Sequence, residues 1–188
     1  MEVKTVYFEN VKDDNTIETF KLAEERLRVL GIKKLVLAST TGSTAKRAMY
    51  FFKDKGVQLI VIPHQYDFNR KENAFPKELV KTLKENGHEV HFGTMLFHTD
   101  KLYSSNVPMI IANFLRRFCE GVKVCYEIVL MASDACLLTN GEKVIAVAGT
   151  GKGSDTALVM QAASTRNLEK LRVNEIICKP LNSYELQK

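Results

Sequence analysis

The chain has 188 residues, 45% of them hydrophobic and 26% charged, with a formal net charge of +5. That suits one globular domain spanning residues 1–188 with a substantial core, and no apolar run is long enough to span a bilayer. The mild positive charge suits an acidic small ligand rather than nucleic acid, because the lysines are spread along the chain and Arg116-Arg117 is the only Arg pair.

The start, Met1-Glu2-Val3-Lys4, carries no secretory apolar region, so a cytoplasmic protein with no membrane partner is expected. Cys119, Cys125, Cys136 and Cys178 form no Cys-x-x-Cys pair, and each lies beside apolar residues. Buried, reduced thiols are expected. His88 and His91 lie three apart in a predicted strand, hence on opposite faces, which argues against a shared metal; none is expected.

In chain order, Val3–Phe8 has strand composition. Asn15 with Glu18 suggests a capping box, and Ile17, Phe20, Ala23, Leu27 and Leu30 recur at helical spacing up to a Gly31 C-cap. Leu35–Ala38 is a strand. It feeds the loop Ser39-Thr40-Thr41-Gly42-Ser43-Thr44, then a helix expected to run to about Lys55. Five of these six loop residues carry a hydroxyl. At a helix start the first N–H groups lack partners, and with the helix dipole they favour an anion such as phosphate. One hydroxyl would suffice for an ordinary N-cap; five around Gly42, which permits positive φ or close ligand approach, favour an anion cradle.

Val57–Pro63 is an almost continuous apolar run, as in a parallel strand covered on both faces. The polar and aromatic loop after it holds His64, Tyr66 and Asp67, where α/β proteins bind ligands. Pro76 is expected at N1 of a helix reaching Gly87, followed by a strand at His88–Phe92. Gly93–Val107, with His98, is read as irregular and Pro108–Cys119 as a helix ended by Gly121; Val122–Cys136 has helical spacing but strand composition at Val124-Cys125-Tyr126, and a helix is favoured because it keeps helices and strands alternating. Asn140-Gly141 marks a turn before the strand Val144–Ala148. Gly149-Thr150-Gly151-Lys152-Gly153-Ser154-Asp155-Thr156 matches neither the Walker A nor the Gly-x-Gly-x-x-Gly spacing. It reads as a hairpin or as a second anion-contacting loop with Lys152 as charge partner. Thr156–Met160 reads as a strand or a helix start, and Asn174–Lys179 as a last strand closed by Pro180.

Leu37-Ala38-Ser39-Thr40-Thr41-Gly42-Ser43-Thr44-Ala45, with Leu59-Ile60-Val61-Ile62 beyond it, resembles the C-terminal domain of pyruvate kinases. The whole chain resembles more closely the stand-alone, mostly archaeal proteins built on that domain, through Lys123–Ile128, Met131–Asp134, Gly153–Ala157 and Glu175–Pro180. The resemblance implies a three-layer α/β/α sandwich with a mostly parallel sheet, and strands on both sides of the glycine loop. It carries phosphate contact onto Ser39, Thr41, Gly42, Ser43 and Thr44. It does not imply pyruvate kinase activity, because the catalytic barrel has no counterpart. Ser43 follows the loop glycine where many pyruvate kinases have a basic residue, which argues against a bisphosphate effector. Because the stand-alone group resembles FMN binders, FMN is the named cofactor expected.

The expected function is binding of a phosphorylated small molecule, either as a sugar-phosphate sensor or as a flavin-linked oxidoreductase with candidate polar groups His64, Tyr66, Asp67 and His98. The phosphate is expected at Ser39–Thr44, with the rest of the ligand reaching toward His64–Asp67 and toward Gly149, Thr150, Gly151, Lys152, Gly153, Asp155 and Thr156. The chain is also compatible with a homo-oligomer.

Overall fold

A computed structural model describes residues 2–9, 13–66, 68 and 74–182. Seven strands form one sheet: β1 (Val6–Phe8), β2 (Lys34–Ala38), β3 (Gln58–Ile62), β4 (Glu89–Val90), β5 (Lys143–Ala148), β6 (Thr156–Gln161) and β7 (Arg172–Pro180). Their order across the sheet is β1-β7-β6-β5-β2-β3-β4. All neighbours pair parallel except β6, which is antiparallel to both β5 and β7. The helices are α1 (Thr16–Leu30), α2 (Ser43–Phe51), α3 (Lys77–Glu85), α4 (Asp100–Tyr103), α5 (Val107–Leu115) and α6 (Glu120–Asp134).

The sheet is buried on both faces because β2, β3 and β5 are apolar at every position after the first, while successive side chains point to opposite sides. Leu35, Leu37, Leu59, Val61, Ile145 and Val147 face one layer with Phe20, Ala45, Phe52 and Leu83 of the segments 16–30, 43–52 and 77–85. Val36, Ile60, Ile62, Val144, Ala146 and Leu158 face the other, filled by Val122, Cys125, Val129 and Ala132 of α6. This is the expected α/β/α arrangement with a mostly parallel sheet. Phe20, Phe51 and Phe52 pack as tilted and edge-on rings, with centroids 4.9–5.6 Å apart.

Several local expectations are corrected. α1 opens without a capping box: Asn15 makes no side-chain cap, and the Thr16 N–H donates to Asp14 Oδ1 instead, at 3.1 Å. Gly31 does close the helix, at φ +66°. α2 ends at Phe51 rather than near Lys55, because the chain turns through Asp54 at φ +60°. Pro76 is the N-cap, in extended backbone, and not N1. β4 has two residues, and a 3-10 turn (Leu96–His98) and α4 interrupt the segment read as irregular.

The largest correction is Gly121. It does not end a helix; it lies in the first turn of α6, whose N-cap is Cys119 with its sulfur accepting from the Val122 N–H. A Cβ on Gly121 would overlap the side chain of Thr156, so glycine lets α6 sit against the start of β6. Among the cysteines, Cys119, Cys125 and Cys178 are buried as expected, but Cys136 is exposed at φ +60° in the turn after α6.

Candidate ligand edge of the sheet

β5, β2 and β3 are adjacent and parallel, so their C-terminal ends lie side by side. The segments that leave them are Ser39–Thr44, His64–Tyr66 and Gly149–Asp155. The antiparallel β6 begins at the same edge with Thr156. The three predicted loops are therefore neighbours. Asp67 falls outside the described residues.

In the loop after β2, Ser39 is buried. Its N–H continues the ladder to the Ile62 carbonyl at 3.3 Å, and its Oγ accepts from the Ala45 N–H at 3.1 Å. Ser39 is thus the hydroxyl that caps α2, a role the Ser/Thr-rich pattern spreads over five candidates. Thr44 is buried and Thr40 half-buried, while Thr41 and Ser43 are exposed and face solvent at the helix start. Gly42 has φ +82°, and a Cβ there would stand 2.6 Å from Leu79 Cδ2 and 3.1 Å from Pro76 Cδ. Its missing side chain serves packing of the loop on α3. Arg47, one turn into α2, is held by Asp14 at 2.7 Å.

The glycine loop is braced from within. Asp155 accepts from the Thr150 N–H at 2.9 Å through Oδ2, and from the Thr156 hydroxyl at 2.7 Å through Oδ1. The Ser154 N–H donates to Thr16 Oγ1 at 2.9 Å, and the Thr19 hydroxyl donates to the Ser154 carbonyl at 3.1 Å. Gly153, at φ +70°, leaves room for Thr16, and Gly149 lets the loop close on the Gly153 carbonyl. Asp155 and Thr156 are buried in these roles, with Thr156 fully enclosed. Gly151 and Lys152 form the exposed tip. The hydroxyl oxygens of Thr150 and Ser154 are covered and have no hydrogen-bond partner. Buried hydroxyls without partners are costly.

Beside these loops lies a cluster that joins the predicted candidate His98 to two residues the sequence reading missed, Lys123 and Glu127. Lys123 and Glu127, both on α6, are each 2% exposed and pair at 2.6 Å. Glu127 Oε1 also accepts from the Phe97 N–H at 2.8 Å, and the Lys123 ammonium sits 5.5 Å from the Phe97 ring centroid. Lys123 Nζ lies 3.1 Å from His98 Nε2. An ammonium has only protons to give, so His98 accepts and carries its own proton on Nδ1. Burial, then the Lys123 charge, push the His98 pKa down, which keeps the ring neutral. Phe68 stands edge-on between His64 and His98, with both centroids at 4.9 Å. Gln65 ties the two segments by accepting from the Met95 N–H at 2.8 Å. An i,i+4 Lys–Glu pair normally reads as a solvated helix face. The available signal was that Lys123 and Glu127 fall within the apolar run Val122–Met131.

No group of three or more His, Cys, Asp or Glu residues with metal-binding geometry occurs among the described residues, and none of their helices is long and apolar enough to cross a membrane.

No protein-family model matches the chain. It is similar to a solved pyruvate kinase of Cryptosporidium parvum at 15% identity and a TM-score of 0.44, over 80% of this chain and 23% of that one. A second structure of Cryptosporidium parvum pyruvate kinase, in complex with ADP, is similar at 16% identity and a TM-score of 0.43, over 78% of this chain and 23% of that one. This chain therefore spans about a quarter of the length of those kinases, and nothing of their activity follows for it.

Proposed function

We propose that the chain binds a phosphorylated small molecule at the C-terminal edge of β5, β2 and β3, with its phosphate at Ser39–Thr44, and that the ligand is FMN. The observation that carries the reading is the parallel register of these three strands, which gathers three candidate loops at one edge. The α2 start fits a phosphate: exposed Thr41 and Ser43 hydroxyls stand beside first-turn N–H groups, and Ser39 holds the turn. The partnerless hydroxyls of Thr150 and Ser154 add donors if the glycine loop opens toward the ligand. Tyr66, 70% exposed at the end of β3, offers an aromatic face to a planar ring. The choice of FMN over other monophosphates rests on the sequence resemblance to the stand-alone group. Four free cysteines suit a reducing compartment, so cytoplasmic residence belongs to the same reading.

Titration of apo-protein with FMN, riboflavin and FAD, followed by flavin fluorescence, tests it. FMN binds best and inorganic phosphate competes. Equal binding of riboflavin overturns the phosphate cradle, and a colourless protein that releases a sugar phosphate on heating overturns FMN in favour of a sensor.

The Lys123–Glu127–His98 cluster supports a second reading, a flavin-linked oxidoreductase. A bound flavin would supply the redox-active ring, while these residues would hold and move a proton at His98. Oxidation of NADH or NADPH no faster than with free FMN counts against it.

A further inference from the structure

An apolar stripe runs along the outer surface of α5 and continues at either end to Tyr103 and Phe118. Tyr103, Val107, Ile110, Ile111, Phe114 and Phe118 are each between 44% and 70% exposed. Val107, Ile110, Ile111 and Phe114 recur at intervals of three and four residues, so they form one stripe on one face of α5, with Phe118 in the turn just beyond it. The opposite side of α5 anchors it to the fold through Ala112 and Leu115, packed against Phe97 and Tyr126. The stripe is thus a second apolar face on a helix whose first is already used.

We propose that this stripe is an interface between two copies of the chain. Its large exposed side chains lie side by side, and a contiguous apolar patch on a helix face is the makeup of the buried centre of a protein–protein contact. No charged residue occurs from Val107 to Leu115, so a second copy meets no unpaired charge in the centre of the contact. Arg116, just beyond, is engaged by Glu120 at 2.6 Å and by Asn113 at 3.0 Å. A two-fold contact needs a self-complementary patch. An antiparallel pairing of the two α5 helices meets that need, since Ile110 of each copy then faces Phe114 of the other across the axis. It also opposes the helix dipoles and brings Asp100, before the stripe, toward Arg117 of the other copy, after it. A lipid surface fits less well, because helices that lie in a membrane interface carry Lys and Arg along a polar face, and α5 has none.

Sedimentation equilibrium of the whole chain, with the variants Phe114→Glu and Ile110→Glu, tests the proposal. Both side chains are more than 60% exposed, so the fold is expected to survive, and far-ultraviolet circular dichroism checks this. The wild type is expected to be a dimer, and each variant to raise the dissociation constant about a hundred-fold or more. Tyr50→Glu, an exposed aromatic on α2 outside the stripe, leaves the dimer intact. A wild type that is monomeric at its highest soluble concentration overturns the proposal. So does a dimer that persists in both variants, because the contact then lies elsewhere. Co-sedimentation of a monomeric wild type with phosphatidylcholine vesicles, lost in Phe114→Glu, replaces the second copy with a membrane.

Discussion

Gly42 illustrates how one residue supports two different arguments. As part of a Ser/Thr-Gly loop it suggests close approach of a ligand, and a branched side chain there would be expected to block the ligand while sparing the fold. The geometry reverses that order. At φ +82°, with Leu79 and Pro76 in the Cβ direction, even a methyl group is strained and collides with α3. Gly42→Ala is expected to lower unfolding stability by about 1–3 kcal/mol, measured by urea denaturation, whether or not a ligand is present. An unchanged midpoint would show that the loop can shift off α3 at no cost. The cysteines make a second residue-scale case. Burial raises the pKa of Cys119 and Cys125, and pushes that of Cys178 up to about 12, so these thiols are poor nucleophiles. Native protein treated with an aromatic disulfide reagent is expected to release one equivalent rapidly, from Cys136, and the remainder only on unfolding. Rapid release of two or more equivalents would mean that a buried site opens readily.

α6 concentrates what pattern reading can and cannot detect in an element. Its helical period was legible because Val122, Cys125, Ile128, Val129 and Ala132 are apolar and line the core. Its start was not, because a glycine normally stops a helix, and the reason for Gly121 is a contact with Thr156, 35 positions along the chain. The same helix carries Lys123 and Glu127, buried where charge is expensive. Removing one partner strands the other: Lys123→Met or Glu127→Gln is expected to cost about 3–5 kcal/mol, while the double variant Lys123→Met/Glu127→Leu costs much less than the two single changes together. A thermodynamic cycle from denaturant unfolding measures this. Additive losses would show that the two side chains are held independently. Lys123→Met should also raise the pKa of His98, since it removes a lowering charge and leaves that of Glu127, which raises it; side-chain nitrogen NMR reads that shift.

At the scale of the whole molecule, a parallel sheet was legible from almost continuous apolar runs of strand length, and the ligand edge followed from it. The strand order was not, because pairing of β1 with β7 or β5 with β2 is decided by contacts between distant parts of the chain that leave no local period. One global property depends on histidines from two of these distant regions. His88 accepts from the Leu59 N–H at 3.3 Å through Nδ1, beside the sheet, and burial lowers its pKa. His98 accepts from Lys123, and Glu127, Arg116 and Glu120 also act on it, the two carboxylates raising and Arg116 lowering its pKa. Both folded-state values lie below the unfolded value of about 6.5. The unfolded chain therefore binds more protons as pH falls, and the sign of linkage makes stability rise with pH across that window. The contribution is fully present above the unfolded pKa, and is lost as the pH falls from there through the folded values. Asp14 acts further down: hydrogen bonding from Thr16 holds its pKa below the ordinary value, so it reinforces acid sensitivity only in the carboxylate range. Urea unfolding at pH 7.5, 6.5 and 5.5 is expected to show a steady loss of stability. His98→Asn and His88→Asn should each flatten the slope while lowering the plateau, and the double variant should nearly abolish the dependence above pH 5.5. If wild-type stability is level or increases on acidification, the histidines are not held neutral, and the hydrogen bonds from Leu59 and Lys123 are not what the fold depends on.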